Sequence, residues 1–476
     1  MCYRHLLLGF RLSVLVIAAT AFTARAAGPA SPTKPNIVLI LVDDFGYECV
    51  GANGGTSYRT PVMDKLAATG VRFDHCYAQP VCTPTRVQLM TGIYNVRNYT
   101  SFAEMDPRCV TFANLFQRAG YATCITGKWQ LGTEVKLPRK FGFDENCLWN
   151  HTRSLGRYTN PSLDINGDAR DFTNKEYGPD IVSDYALDFI DRKKDRPFFL
   201  YYTMMLTHAP FQATPDSPDY GQRQLGAAAG LANVRPDGVV QHFADMVTYA
   251  DKLIGKLIAK LDQHGLRENT LILIVGDNGT QRGTVSLMGD RKVAGGKGLT
   301  TSTGMNVPLI ASWPGHAAVG RVSRDLVDTT DFLPTICEAA GVPVPAELKI
   351  DGRSFLPQVR GEKGRPREWY YSWCGDQRLR LITAEFAATH DFKLSRPGDF
   401  YDLRTDREEK HPLKVATLAG DAAIAAKLLQ GVLDHYKDAR PAALAMPFTG
   451  PKVRGQKKAG DARNAIHDTI KQNEDR

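Results

Sequence analysis

Two acidic pairs and one cysteine carry the chemistry this sequence could do. Asp43-Asp44 follows the apolar run Asn36 to Val42, and Asp277-Asn278 follows Thr270 to Gly276. Three carboxylates and an amide oxygen are hard donors of the kind that hold Ca2+ or, as second choice, Mg2+. With no thiolate or imidazole among them they do not favour zinc. Taken singly, each pair is an ordinary turn. Two such pairs, each directly after a buried strand and in a chain that also carries the cysteine sequence below, read as one metal site. That sequence is Cys82-Thr83-Pro84-Thr85-Arg86, continued by Val87-Gln88-Leu89-Met90-Thr91-Gly92. A cysteine with proline two residues on and arginine two beyond reads as a modification site, not a fold element. Without such a context a lone cysteine is a small buried hydrophobe.

These groups need a frame that gathers strand ends. Asn36 to Val42 is a continuous, β-branched run, which predicts a strand buried on both faces, as in a parallel sheet. Thr270 to Gly276 repeats it. Further strands are predicted at Val71 to Ala78, Tyr121 to Thr126, Phe198 to Met205 and Val307 to Trp313. A helix is predicted from Thr60, as N-cap with Pro61 in the first turn, to Gly70. Others are predicted at Thr111 to Ala119, Asp180 to Lys193, Phe243 to His264 and Asp328 to Ala340. The alternation predicts an α/β fold with a mostly parallel sheet sandwiched by helices. Open sheets of that kind bind ligands at the carboxyl ends of their strands. From about Pro366 short segments predict a small antiparallel sheet: Trp369 to Trp373, Leu379 to Thr383, Asp391 to Leu394 and Phe400 to Leu403. Ala422 to Tyr436 reads as a helix covering it. The expected organisation is a signal peptide over 1–26, a catalytic α/β domain over 34–360, a smaller C-terminal α+β subdomain over 361–445, and a basic, disordered tail over 446–476.

Composition bounds the function. The chain has 476 residues, 43% hydrophobic and 23% charged, which is ordinary for a globular chain with a large core. Arg4 and Arg11, the apolar run Leu12 to Phe22 and Ala24-Arg25-Ala26 read as a secretory signal with its cleavage site. The apolar run is short for a bilayer span, so export to the periplasm or beyond is expected, without membrane attachment after cleavage; an uncleaved anchor is the alternative. Cleavage removes three arginines from a formal charge of +8. The remaining balance suits steering of an anionic substrate. The basic excess from Lys452 to Arg476 reads as a solvated end, with no nucleic-acid partner. Beyond Cys2 and Cys82 the cysteines are Cys49, Cys76, Cys109, Cys124, Cys147, Cys337 and Cys374, an odd set without a zinc-type C-x-x-C pair. Asn98, Asn150 and Asn278 each start a glycosylation sequon; the last is read as accidental, since a metal ligand cannot carry a glycan.

The ordered landmarks resemble the type I sulfatases of the alkaline phosphatase superfamily from about Asn36 to Leu403. They are Asn36 to Asp44, Thr60-Pro61, the Cys82 sequence through Thr91-Gly92, Gly127-Lys128-Trp129, His208-Ala209-Pro210, Asp277-Asn278-Gly279, Lys297-Gly298, Val307-Pro308, Trp313-Pro314-Gly315 and Tyr401-Asp402-Leu403. The resemblance implies an alkaline phosphatase-like fold. It implies that a maturation enzyme oxidises Cys82 to formylglycine, whose hydrate attacks sulfur. It implies that Asp43, Asp44, Asp277 and Asn278 hold one Ca2+, that Arg86 holds the hydrate and neighbouring carboxylates, that Lys128 and Lys297 bind sulfate oxygens, and that His208 protonates the leaving oxygen. The implied partners are a sulfated small molecule or polysaccharide and a formylglycine-generating enzyme. Gly295-Gly296-Lys297-Gly298 lacks the spacing and the Ser/Thr of a phosphate loop.

Two departures stand out. Gln130 occupies the place where the family carries a histidine credited as the base that expels sulfate. Glutamine can hydrogen-bond but cannot take a proton. Ser302-Thr303-Gly304 replaces a usual Glu-Gly-Gly before Val307-Pro308. Two further readings follow: a phosphate or phosphonate ester hydrolase of the same superfamily, and a catalytically impaired binder of sulfated glycans, motivated by Gln130. The loops expected to shape the substrate pocket are Leu148 to Tyr177 and Gln212 to Val240.

Overall fold

Every side chain of the first strand, β1 (Asn36–Val42), is buried, as an uninterrupted apolar run requires of a strand covered on both faces. The computed structural model describes residues 34–150, 156–221, 240–376 and 381–445. The expected signal peptide and basic tail lie outside these ranges, as does most of the expected loop Gln212 to Val240. The chain continues through β2 (Val71–Tyr77), β3 (Ala122–Lys128), β4 (Glu145–Trp149), β5 (Ser162–Ile165), β6 (Asp168–Asp171), β7 (Phe198–Thr203) and β8 (Thr270–Gly276). A hairpin of β9 (Val285–Met288) and β10 (Arg291–Ala294) stands apart, and β11 (Asn306–Ser312), β12 (Arg321–Ser323) and β13 (Val327–Asp328) return to the main sheet. The order across that sheet is β12-β2-β11-β8-β1-β7-β3-β4-β5-β6, with β13 also on β2. Its centre, β8-β1-β7-β3-β4, is parallel. β11 runs antiparallel to both β8 and β2, and β5 and β6 close the far edge antiparallel.

The pleat of β1 explains the layers. Ile37, Leu39 and Leu41 join one core cluster with Val87, Leu89, Phe112, Phe116 and Ile336. Val38, Ile40 and Val42 join a second with Met63, Leu66, Phe189, Phe243 and Leu253. Successive strand residues point to opposite faces, so helices cover both sides. The first face carries the helices Cys82–Thr91, Phe112–Arg118 and Phe332–Ala340, and the second Pro61–Thr69, Gly178–Lys193 and Gln241–Gln263.

The last four strands, β14 (Tyr370–Asp376), β15 (Leu381–Ala388), β16 (Phe392–Ser395) and β17 (Phe400–Asp402), form a separate antiparallel sheet under the helix Gly420–Tyr436. Tyr371, Trp373, Leu394 and Leu429 share the first core cluster. Arg367, just before this sheet, donates through Nε to Asp331 at 2.7 and 2.8 Å and through Nη1 to Tyr94 Oη at 3.0 Å, all buried. The expected strand start at Leu379 falls outside the described residues.

Three local expectations are corrected. Thr60 makes no side-chain cap on its own helix. Its hydroxyl accepts from Gly51 N–H at 2.9 Å, and the free amides of Val62 and Met63 donate instead to Asp251 of the helix alongside, each at 2.9 Å. Cys82 is part of a fold element, the first residue of a ten-residue, fully buried helix with Pro84 in its first turn, where proline's missing amide costs nothing. The stretch Leu148 to Tyr177, expected as a loop, contains the end of β4 and the β5–β6 hairpin.

Candidate active site

Parallel strands end on one edge, so the residues after β1, β3, β7 and β8 meet there. Asp43 and Asp44 follow β1, Lys128 ends β3 with Gln130 two residues on, His208 lies five residues beyond β7, and Asp277 and Asn278 follow β8. Antiparallel β11 starts at that edge, which brings Lys297 in from the turn before it, and β2 ends there and feeds Cys82. Register fixes the neighbours, since Val42 pairs with Gly276 and Leu41 with Thr203. Backbone bonds continue it past the strands: Asp277 N–H to Val42 O at 3.0 Å, and Asp43 N–H to Leu206 O at 2.9 Å. Gly127 permits the close approach of β3 to β7; a Cβ there would stand 1.7 Å from Thr203 O. Asp44 and Gln130 both hold left-handed backbone, at φ 54° and 53°. Such conformations are costly for residues with a side chain and concentrate where function over-determines them.

All the residues expected at the site meet in one buried cluster. Lys128 Nζ lies 2.8 Å from Asp43 Oδ2 and 3.0 Å from Oδ1. Arg86 Nη2 donates to Asp277 Oδ2 at 3.0 Å and stands 3.9 Å from Asp43, while Nη1 donates to Lys128 O at 3.1 Å. Lys297 Nζ donates to Asp44 Oδ2 at 2.9 Å and lies 3.1 Å from His208 Nε2. Asn278 Nδ2 donates to Asp44 Oδ1 at 2.8 Å, and Asp44 N–H to Asp277 Oδ1 at 3.0 Å. The Cys82 thiol donates to Gln130 Oε1 at 2.7 Å. Its sulfur and one oxygen each of Asp43 and Asp277 lie within 4.8 Å of one another.

Burial and neighbouring charge set the protonation states. Burial pushes Asp43 up, but Lys128, Arg86 and Arg157 together hold it below the usual carboxylate range. Burial pushes Asp44 above that range despite Lys297. Burial and the Asp43 charge push Asp277 up to about 7 against Arg86 and Lys128. Burial also raises the Cys82 thiol, with Asp277 and Asp43 adding to it and Lys128 opposing. His208 falls well below its ordinary value through burial and the cations Arg157, Lys297 and Lys128. Lysine has donors only, so His208 Nε2 accepts from Lys297 and the ring proton sits on Nδ1, which faces Ala209 O.

The donor set fits a hard cation. Asp43, Asp44, Asp277 and Asn278 are fully buried, and Asn278 Oδ1 has no hydrogen-bond partner. A buried carbonyl oxygen left unpaired is costly, and a cation beside three carboxylates would satisfy it. The replaced loop is closely packed: the turn Ser302–Met305 lies against Gly279, where a Cβ would stand 1.9 Å from Thr303 O.

One residue of the site was missed. Arg157 Nη1 lies 3.7 Å from Asp43 Oδ2, and its guanidinium stacks 4.0 Å from the Trp149 ring centroid. It belongs to the expected pocket stretch, but no motif marks it. The sequons at Asn98 and Asn150 begin at buried asparagines that donate to Thr91 Oγ1 and Gly132 O. Among the described residues all eight cysteines are free, and no helix is long and apolar enough to cross a membrane.

Comparison with known proteins gives a consistent picture. The family model described as Sulfatase matches residues 35–342, and that described as N-sulphoglucosamine sulphohydrolase, C-terminal, matches residues 296–434. N-acetylgalactosamine-6-sulfatase of Mus musculus is 32% identical over 415 residues, 79% of this chain and 75% of that protein. Arylsulfatase A of Homo sapiens is 30% identical over 381 residues, 72% of this chain and 71% of that protein. The crystal structure of Ps i-CgsB in complex with k-i-k-neocarrahexaose superposes with TM-score 0.70 at 23% identity, covering 93% of this chain and 99% of that one.

Proposed function

From the premise that this chain belongs to the sulfatase family and is a sulfuric ester hydrolase, we propose that its nucleophile is made from Cys82 and that Asp43, Asp44, Asp277 and Asn278 hold one Ca2+. The observation that carries this reading is the meeting of Cys82 with two of the carboxylates within 4.8 Å. A bound ion would supply Lewis-acid polarisation of a sulfate oxygen and of the attacking oxygen. Formylglycine at position 82 would supply that attacking oxygen. The unmodified thiol is ill suited to the task, because thiolate is the reactive form and burial disfavours it here.

The chain's own residues do the rest. Arg86, bonded to Asp277 and to the Lys128 carbonyl, fixes the helix start that presents position 82. Lys128 and Lys297 bind sulfate oxygens, where preorganised donors stabilise redistributing charge. The proton for the leaving oxygen comes from the Lys297–His208 pair through His208 Nε2. In the unliganded site His208 is neutral; a bound anion offsets the three cations that depress it and favours the protonated ring. Gln130 accepts a hydrogen bond from the group at position 82 but takes no proton. That contact also favours a second reading, an impaired binder of sulfated glycans.

The substrate we propose is a sulfated carbohydrate. Support comes from relatives named N-acetylgalactosamine-6-sulfatase and from the carbohydrate in the Ps i-CgsB structure. The domain boundary near residue 360 and export directed by residues 1–26 belong to the same proposal. The test is protein co-expressed with a formylglycine-generating enzyme and supplied with Ca2+. A position-82 peptide lighter than its cysteine form, with faster turnover of an aryl sulfate than an aryl phosphate, is expected. An unmodified peptide from the native host would falsify the nucleophile, and faster phosphate turnover would move the chain to the phosphate-ester reading.

A further inference from the structure

Arg157 is a cation with no hydrogen-bonding task yet assigned in the site. Its side chain is 12% exposed. Nη1 is buried and has no hydrogen-bond partner, and its 3.7 Å approach to Asp43 Oδ2 is too long for one. One contact holds the guanidinium, and another anchors the chain beside it. It stacks on Trp149, the last residue of β4, which pairs in register with Lys128. The next residue, Tyr158, donates its hydroxyl to Met205 O at 3.0 Å and also bonds His208 O. Arg157 is thus fixed between the Lys128 strand and the His208 segment.

Charge counting shows what the guanidinium is for. Asp43, Asp44 and Asp277 are each contacted within 3.0 Å by one of Lys128, Lys297 and Arg86. Arg157 is a fourth cation beside three carboxylates, and Asp43 is already taken up by Lys128. A buried guanidinium with an unfilled N–H is well made for an oxyanion, since its fixed fork matches sulfate geometry.

Resting on the sulfatase reading above, we propose that Arg157 is a further anion-binding residue of this site, donating through Nη1 to the sulfate group of the substrate. Trp149 acts as its positioning residue. Arg157 then works beside Lys128 in a place that the family motifs do not mark.

The probe is inorganic sulfate, titrated calorimetrically into the metal-replete, matured protein and used as a competitive inhibitor of aryl sulfate hydrolysis. Arg157→Gln is expected to weaken sulfate binding about tenfold to a hundredfold, the worth of one charge-assisted hydrogen bond, without weakening Ca2+ binding, since it removes a positive charge 3.7 Å from the Asp43 carboxylate. Arg157→Lys keeps the charge without the fork and is expected to fall between the two. If Arg157→Gln does not fold, the Lys variant decides: an affinity equal to wild type overturns the proposal. Wild-type sulfate affinity in Arg157→Gln overturns it while leaving the sulfatase reading intact. A wild-type protein that neither binds sulfate nor turns over aryl sulfate overturns both.

Discussion

Below pH 7 Asp277 must lose a proton before it can ligate a cation, because burial and the Asp43 charge push its carboxyl up to about 7 in the metal-free protein. The sign follows directly. At pH 8 the group is ionised and Ca2+ enters without proton release. At pH 6 it is mostly protonated, and binding releases close to one proton. One-proton competition makes the apparent affinity about tenfold weaker at pH 6 than at pH 8, since one pKa unit is worth about 1.4 kcal/mol. Asp44, also displaced upward, steepens the dependence. With Ca2+ at a hundred times its pH 8 dissociation constant, stability rises by about 2.7 kcal/mol at pH 8; at the same concentration it rises by about 1.4 kcal/mol at pH 6. The assay is calorimetric titration of chelator-stripped protein with Ca2+ in two buffers of different ionisation enthalpy, paired with urea unfolding. Asp277→Asn should bind weakly at pH 8 and lose most of the proton release. A dissociation constant equal at pH 6 and pH 8 refutes the assignment, and so does Asp277→Asn binding with unchanged affinity.

Three other outcomes are expected. In protein made without a maturation enzyme, Cys82 should resist iodoacetamide between pH 7 and 8, because burial holds the thiol protonated; peptide masses showing labelling at the rate of a free thiol contradict this. Gln130→His adds a group that can take a proton, so kcat on an aryl sulfate should rise by about 10²-fold. An unchanged, negligible kcat with tight binding of a sulfated glycan points to the binder reading. Arg367→Met strips a buried partner from Asp331 and should cost about 3–5 kcal/mol in urea unfolding, whereas a loss under about 1 kcal/mol removes the pair from the account of stability.

The parallel core and most of the site were legible in the sequence for one physical reason: both rest on chemistry that repeats locally. Asn36–Val42 and Thr270–Gly276 are apolar on both faces, so they declare themselves central strands, and a carboxylate after each marks the edge where the candidate site gathers. The segments that escaped notice lack such a signature. β6 (Asp168–Asp171) is exposed at every residue and reads as polar loop; only pairing with β5 makes it a strand. Cys82–Thr91 hides as a helix because all ten residues are buried, so no apolar stripe alternates with a polar face. Thr60 carries the right residue type for an N-cap, yet Asp251, far along the chain, takes the amides it should have served. Arg157 is the same problem at the site. Its place depends on the ring of Trp149 and on Tyr158 reaching the His208 segment, and neither contact is written in local spacing. A motif marks a residue whose partners are fixed by the strand ends themselves. A residue recruited by stacking from a stretch that carries no such motif becomes visible only when the chain is folded, which is why an anion-binding arginine here stays hidden where the lysines do not.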